Sequence, residues 1–542
     1  MSLPLFDLVP AELRRAWAAD GICPDLDLYA LFRAHRLMAP AQVAVIDDAG
    51  SLAYAELDGL ARAAAAGLRD LGVCVGDVVG VQLPNGRDAV IADLALAALG
   101  AVALPFPLGR GVAEAVSLLD RSGARAVIAA AEHKGASPAG ELVAAADRLP
   151  GLRVVIATGV GAAPLGSVRW ADLLRSDGRG FAPARPDPDG AARILVSSGS
   201  EAEPKMVAYS HNALAGGRGN FMATLIPGGE PPRCLFLVPL ASAFGSNGTA
   251  VTLARHGGSL VLLDHFSPSG ALAAIQDHRP THVLAVPTMI RMMLGQPPTD
   301  PMPAMTALVL GGAELDAATA DEAGQMFGCP VVNLYGSADG VNCHSGLTPP
   351  AAADAGPGVV VGLPDPHVAE IRIAPAADQA EFGEIIARGP MTPMCYVGAP
   401  ELNHRYRTAE GWVRTGDLGV IDGDGRLRLM GRLKQVVIRG GANISLAEVE
   451  HAVVSHPGVR DVVCVDVPDR VLGERLAACV VLRPGAPVEL ADLCAHLLTR
   501  GLDKSKHPER LLVVDALPLT PAGKPDRYAL RARLTSAHPE RV

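Results

Sequence analysis

Two lysines on Gly-containing loops are the side chains of this chain best suited to handling phosphate. Lys524 stands in Pro518-Leu519-Thr520-Pro521-Ala522-Gly523-Lys524-Pro525-Asp526-Arg527. A turn near the end of a chain can carry an ammonium onto a developing anion and away again. Taken alone, Thr-Pro-x-Gly-Lys is also an ordinary turn leading into a helix. Lys205 closes the loop Val196-Ser197-Ser198-Gly199-Ser200-Glu201-Ala202-Glu203-Pro204-Lys205. Small residues directly after a strand-like run leave the N–H groups of Ser197, Ser198, Gly199 and Ser200 open to hold phosphate, with Lys205 as a charge partner. A plain surface Ser/Gly loop is the alternative for this segment alone. Ser210 then reads as a helix N-cap. His211, next to it, is either a site residue or merely a first-turn residue.

These loops need a rigid frame, and the pattern of the chain supplies one. Short apolar runs such as Val78 to Leu83, Ala126 to Ala129, Val154 to Ala157, Leu260 to Leu263 and His282 to Val286 alternate with helical stretches. That alternation predicts parallel sheets covered by helices. Pro183 to Gly190 is a polar, Pro-rich connector that delivers the chain to the Ser/Gly loop.

Composition narrows the function class. With 542 residues the chain has room for several domains and a large core. Hydrophobic residues make up 49%, yet the longest near-apolar run, Leu94 to Phe106, contains Gly and Pro. It falls short of the ~20 residues a bilayer span needs, so no membrane span is expected. The start, Met1 to Asp7, lacks a basic segment followed by an apolar core, so no secretory signal is expected. A net charge of −10 and no Lys/Arg run argue against a nucleic-acid partner. Nine scattered cysteines without a CxxC pair fit reduced thiols in a cytoplasmic protein.

Four later segments point to the same chemistry as the two lysines. They are Leu308-Val309-Leu310-Gly311-Gly312-Ala313-Glu314, Asn333-Leu334-Tyr335-Gly336-Ser337-Ala338-Asp339-Gly340, Trp412-Val413-Arg414-Thr415-Gly416-Asp417-Leu418, and Gly431-Arg432-Leu433-Lys434 with Arg439-Gly440-Gly441. In this order the set resembles the adenylate-forming superfamily of acyl-CoA synthetases, non-ribosomal peptide adenylation domains and luciferases. The resemblance covers nearly the whole chain. It implies that the loop with Ser197–Ser200 and Lys205 holds the outer phosphates of ATP. It also implies that Gly312, Ala313 and Glu314 contact adenine, with Asn333, Tyr335, Gly336 and Ser337 completing the nucleotide site and Tyr335 stacking on the base. Asp339 is implied as the Mg²⁺ carboxylate, Asp417 and Arg432 as ribose contacts, and Lys434 as a hinge. Gly440 and Gly441 would line a coenzyme A tunnel. Lys524, with Lys205 and His211, would be catalytic.

The roles make physical sense. An ionised carboxylate resists thiol attack until it carries a good leaving group. Reaction with the α-phosphate of ATP supplies one, through positioning and charge neutralisation. Departures are informative. Glu201 and Ala202 stand where the family usually has Thr and Gly, which is expected to weaken the grip on the outer phosphates. Asp339 replaces the usual Glu. Met206, Ala338 and Arg439-Gly440-Gly441 resemble the branch that activates aryl acids.

Pro239-Leu240-Ala241-Ser242-Ala243-Phe244-Gly245 resembles the segment lining the acid pocket. Ser242, Ala243, Phe244, Gly312, Gly336 and Val341 are implied as its walls. The aryl-acid branch has Asn at the position of Ala243, and its absence disfavours a phenolic hydroxyl by ~1–3 kcal/mol. Three small side chains leave room for a larger, mostly apolar acid, unless a bulkier residue from elsewhere refills the space.

The expected architecture is α/β: a large N-terminal domain of helix-covered sheets over residues 1–433 and a small mobile α+β domain over 434–542. The expected function is ATP-dependent ligation of a hydrophobic carboxylic acid to coenzyme A, in bacterial natural-product metabolism. Transfer to a carrier-protein phosphopantetheine, an enzyme for one half-reaction and a non-catalytic nucleotide-binding protein are the alternatives.

Overall fold

Strands without polar alternation must be buried on both faces, and several here are. Val78–Gln82 and Ala126–Ala130 are buried at every position. In this computed structural model, residues 5–159, 163–197, 204–296, 301–313, 315–348, 358–374, 382–433, 436–439, 442–469, 473–500, 502, 504–519 and 525–537 are described.

The described chain divides into two compact units. The first comprises Met1–Pro350, Gly362–Ile371 and Ala387–Arg414. It holds two eight-stranded sheets. One runs in the order Val341–His344, Val331–Ser337, Ala307–Gly311, His282–Ala285, Arg233–Phe236, Ser259–Leu262, Val43–Asp47, Gly50–Ala53. Its six inner strands are parallel and its two edges antiparallel. The other runs Cys395–Tyr396, Met206–Ser210, Ala191–Val196, Val102–Pro105, Val78–Gln82, Ala126–Ala130, Val154–Thr158, Val168–Arg169. Helix Arg87–Leu99 presents apolar residues around most of its circumference, with 10 of its 13 residues buried. A helix of this kind is stable only when covered nearly all round, and this one joins the largest core cluster.

The parallel pairing has a consequence for chemistry. Strands Arg233–Phe236, His282–Ala285, Ala307–Gly311 and Val331–Ser337 are adjacent and parallel, so their carboxyl ends share one edge. That edge is where open α/β sheets bind ligands. The segments following three of these strands are the ones singled out from the sequence: 237–245, 312–313 and 338–340.

The second unit comprises Ala351–Val361, Arg372–Ile386 and Thr415–Val542. Most of a five-stranded sheet lies in it, including the antiparallel pair Val413–Ile421 and Leu427–Arg432. A smaller sheet follows, built on the pair Val459–Asp469 and Gly473–Leu482. Helices Leu446–Val454, Leu490–Thr499 and Arg527–Ala537 accompany it. Its core is aliphatic, with Val449, Val453, Leu476 and Leu493 wholly buried. A large α/β part with a smaller C-terminal part is the architecture expected. Among the described residues, no helix is long and apolar enough to cross a membrane.

Candidate functional site

The Ser/Gly loop connects two antiparallel strands, Ala191–Val196 and Met206–Ser210. The Ser197 N–H donates to the Lys205 carbonyl at 2.9 Å and closes the loop's neck. Ser198, Gly199 and Ser200, with Glu201 and Ala202, lie outside the described residues. Lys205 is therefore fixed at the base of a hairpin. Its side chain is 11% exposed, and Nζ lies 3.7 Å from Asp339 Oδ1. The ammonium also sits over the Tyr406 ring at 4.2 Å and the Tyr396 ring at 5.4 Å. Partly desolvated cation–π contacts of this kind add to the Coulomb attraction of the carboxylate.

Asp339 is held from several sides. The Tyr396 hydroxyl donates to Asp339 Oδ1 at 2.7 Å, and the Asp339 N–H donates to Ser337 Oγ at 3.1 Å. The Tyr209 hydroxyl donates to the Ala338 carbonyl at 2.8 Å. Gly340 has φ +99°, and a Cβ there would lie 2.3 Å from Pro393 Cδ, so the turn cannot be widened. Burial and the neighbouring carboxylate hold the Tyr396 phenol far above its ordinary titration range, so it remains a donor.

Both the phenol and the ammonium approach Oδ1, and no described residue bonds Oδ2. Among the described residues no cluster of three His, Cys, Asp or Glu side chains forms a metal site. Mg²⁺ is held by one or two carboxylates together with substrate phosphates and retained waters, and the Asp339 carboxylate, engaged by the protein through Oδ1, offers one such ligand. Asp339 thus fits the metal role expected of it.

Tyr396, Tyr406 and Tyr209 escaped the sequence reading. A signal existed: the chain has only seven tyrosines, and three of them converge here. Strand pairing explains Tyr396, since Cys395–Tyr396 pairs with Met206–Ser210 at Tyr396↔Val207.

At the neighbouring strand ends, Tyr335 is half-buried opposite Cys343. The Asn333 N–H donates to Ser345 Oγ at 3.0 Å. Gly336 is exposed, and a Cβ there would lie 2.2 Å from Asn342 Oδ1, so a larger residue would have to displace the Asn342 side chain. Gly312, at φ +83°, and Ala313 are exposed beyond their strand, and Glu314 is outside the described residues. Ser337 and Val341 are register partners, with Val341 wholly buried.

The acid-pocket segment folds into a tight turn. Ser242 Oγ accepts from the Gly245 N–H at 2.9 Å. Ala243 packs against the cluster of Tyr209, Ala338, Tyr396 and Tyr406, whereas Phe244 packs against the main core. Ala243 thus borders the apolar cluster that contains Ala338 and Tyr396.

His211 goes elsewhere. It is 1% exposed, and its Nδ1 accepts from the Leu28 N–H at 3.3 Å. Burial pushes its ring from an ordinary value of 6.5 to about 4. The unfolded chain therefore binds a proton that the folded chain does not. Stability present above pH 6.5 is lost as pH falls toward 4, by ~2 kcal/mol at pH 5 from this group. We expect His211→Gln to flatten the fall in Tm between pH 7.5 and 5.0. An unchanged slope would show that other groups drive the acid transition.

In the second unit, Asp417 and Arg432 are register partners on adjacent antiparallel strands. Arg432 Nε lies 3.1 Å from Asp417 Oδ1. Asp417 is buried and Arg432 half-exposed, so a guanidinium and a carboxylate stand side by side in this unit. Lys434, Gly440, Gly441 and Lys524 lie outside the described residues. The neck of the Lys524 turn is described: Leu519 bridges Pro525, and the Asp526 N–H donates to the Pro518 carbonyl at 2.8 Å.

Comparison with known proteins gives a consistent picture. The family model described as AMP-binding enzyme matches residues 32–397, and that described as AMP-binding enzyme C-terminal domain matches 448–524. The chain is 32% identical to a salicyl-AMP ligase / salicyl-S-ArCP synthetase of Mycobacterium tuberculosis, over 97% of this chain and 94% of that protein. It is 31% identical to a 2-hydroxy-7-methoxy-5-methyl-1-naphthoate–CoA ligase of Streptomyces carzinostaticus, over 91% and 90%. The solved amide bond synthetase McbA of Marinactinospora thermotolerans superposes with a TM-score of 0.79 at 28% identity, covering 94% of this chain and 100% of that one.

Proposed function

This chain belongs to the AMP-binding enzyme family of adenylate-forming ligases, and we propose that it activates a hydrophobic, bulky carboxylic acid with ATP and ligates it to coenzyme A. The observation that carries this reading is the Lys205–Asp339–Tyr396 cluster at the base of the hairpin loop, beside Ala243.

In the first step a carboxylate oxygen of the acid attacks the α-phosphorus of ATP. The bond to the bridging oxygen breaks, and pyrophosphate leaves with the acyl-adenylate formed. Lys205 neutralises phosphate charge from a position fixed by two aromatic rings. Tyr396 holds Asp339 so that its free oxygen faces a ligand rather than turning back on the protein. Asp339 would hold Mg²⁺, which would supply charge neutralisation on the phosphates. Asp417 accepts hydrogen bonds from the ribose hydroxyls, and Arg432 keeps it oriented. Lys524 bridges the acid and the α-phosphate as negative charge builds. In the second step the coenzyme A thiol, losing its proton, attacks the acyl carbon and AMP leaves. A hinge at Lys434, dividing residues 1–433 from 434–542, would withdraw Lys524 and bring Gly440 and Gly441 to the thiol.

The small side chains of Ala241, Ser242 and Ala243 support a large acid, and a relative named as a naphthoate–CoA ligase agrees in acceptor and in size. A second reading, transfer to a carrier-protein phosphopantetheine, uses the same residues and draws on the relative named as an S-ArCP synthetase. Acid-dependent pyrophosphate release across an acid panel, followed by thioester formation with coenzyme A, tests the proposal. Release without coenzyme A thioester on any acid would transfer support to the carrier-protein reading.

The pocket assignment has its own test. Ala243→Asn overpacks the segment and should lower kcat/KM for a bulky apolar acid by roughly 5- to 150-fold. An aryl acid with an ortho hydroxyl should lose less or gain. If both values stay unchanged, selectivity lies elsewhere in the chain.

A further inference from the structure

Two buried arginines grip the acid-pocket segment, and they differ in one respect. Arg193 donates to the Leu240 carbonyl at 3.0 Å, and its charge is met by Asp93 at 2.7 Å. Arg218 is 3% exposed, yet no carboxylate among the described residues forms an ion pair with it. Its Nη1 donates to the Ala243 carbonyl at 2.7 Å, to Ser246 Oγ at 2.9 Å and to Asn247 Oδ1 at 3.4 Å. Its Nε is buried without a partner. The guanidinium lies over the Tyr209 ring, 4.8 Å from the centroid. Tyr209 in turn donates to the Ala338 carbonyl, next to Asp339.

A desolvated cation without a counter-ion is costly to keep unless its geometry serves something. Arg218 follows a π-helical turn, Ala213–Gly217, a wide turn that often marks functional positions. Gly217 in that turn packs so closely that a Cβ would lie 2.2 Å from the Met391 nitrogen. The backbone just before Arg218 is therefore packed closely against Met391. A planar fork suits this position, because it can hold carbonyl and hydroxyl acceptors on its edge while its face lies on a ring.

We infer that Arg218 is a positioning residue that sets acid selectivity and ties the acid-pocket segment, through Tyr209, to the backbone that presents Asp339. The inference rests on the reading of 239–245 as the acid pocket. Arg218 itself touches no reacting atom. It fixes the Ala243 carbonyl and Ser246 on one side and the ring that anchors Ala338 on the other. Its uncompensated charge also favours an anionic acid bound beside the segment.

The test is acid-dependent pyrophosphate release in Arg218→Met, Arg218→Lys, Tyr209→Phe and the Arg218→Met/Tyr209→Phe double variant. KM for acid, KM for ATP and the order of an acid panel are read, with Tm as the fold control. Arg218→Met is expected to raise the acid KM roughly 10- to 100-fold and to compress the panel. Arg218→Lys should recover part of the acid KM and less of the panel order, since an ammonium offers no fork. Tyr209→Phe removes the hydroxyl that bonds the Ala338 carbonyl while keeping the ring under the guanidinium, and it should also raise the acid KM. The double variant should lose less than the two single losses combined. An acid KM and panel order within about twofold of wild type in Arg218→Lys and Tyr209→Phe would overturn the inference, as would strictly additive losses. If Arg218→Met fails to fold, those two variants decide. Failure of the pocket reading is distinguishable, because Ala243→Asn would then also leave the panel unaltered. A panel altered by Ala243→Asn but not by the Arg218 variants sinks this inference alone.

Discussion

Lys524→Ala is expected to slow acyl-adenylate formation by about 10²- to 10³-fold, the usual cost of removing one preorganised donor from a developing anion. Thioester formation from supplied acyl-adenylate should stay within a few-fold of wild type. The reason is a division of labour in time. Negative charge concentrates around the α-phosphate only while pyrophosphate departs, whereas thiol attack discharges AMP, a leaving group already formed. The measurement is single-turnover formation of acyl-adenylate beside single-turnover thioester formation from the preformed adenylate. The turn bearing Lys524 is closed at its neck by the Leu519–Pro525 bridge and the Asp526–Pro518 hydrogen bond. Arg527 just beyond it pairs with Glu450 at 2.5 Å. Alanine at 524 leaves these anchors untouched, so Tm should not fall. Equal losses in both half-reactions would end the proposed division.

Asp339→Asn should lower kcat/KM for ATP by about 10²-fold or more, with a rise in the Mg²⁺ concentration needed for half-maximal rate. The amide still accepts from Tyr396, but it loses the charge that faces Lys205 and the metal. Removing one member of a largely buried pair costs ~3–5 kcal/mol when the other charge is left uncompensated, so some loss of Tm is expected too. The 3.7 Å separation of Lys205 Nζ from Asp339 Oδ1 makes this a loose pair, which places the stability cost at the lower end. Tyr396→Phe separates the two effects. It deletes one hydrogen bond to a charged acceptor, ~1.5–3 kcal/mol, while keeping the ring beneath Lys205. We expect about tenfold lower kcat/KM for ATP and a shifted Mg²⁺ dependence. A Tyr396→Phe enzyme with reduced Tm but normal Mg²⁺ dependence would make the tyrosine structural only.

Several features were legible because they depend on residue type and order along the chain. Unbroken apolar runs such as Ala126–Ala130 cannot sit at a sheet surface, so parallel helix-covered sheets followed directly. The loop proposed to hold phosphate was singled out from glycine and hydroxyl residues ending in Lys205. Asp417 and Arg432 were singled out because their short contiguous motifs resemble those of the family, and antiparallel register sets the two side by side. His211 shows the limit of such reading. Its position after the N-cap Ser210 left two roles open, and the fold resolved its surroundings by burying it against Leu28.

By itself, the order of residues determined the fold class and the family, through apolar runs and short ordered motifs around Lys205, Asp339, Asp417 and Lys524. Local motifs encode these because each needs only its own backbone and a few neighbours. Only the tertiary structure decided which distant side chains stand behind them. Tyr396 lies 57 residues from Asp339 in sequence and Arg218 lies 25 from Ala243, and nothing in their local patterns marks them. Strand pairing and helix packing join them, through contacts whose sequence separation carries no periodic signal. A buried guanidinium, or a phenol aimed at a carboxylate, becomes visible only when the low-dielectric surroundings that give it its energy are known.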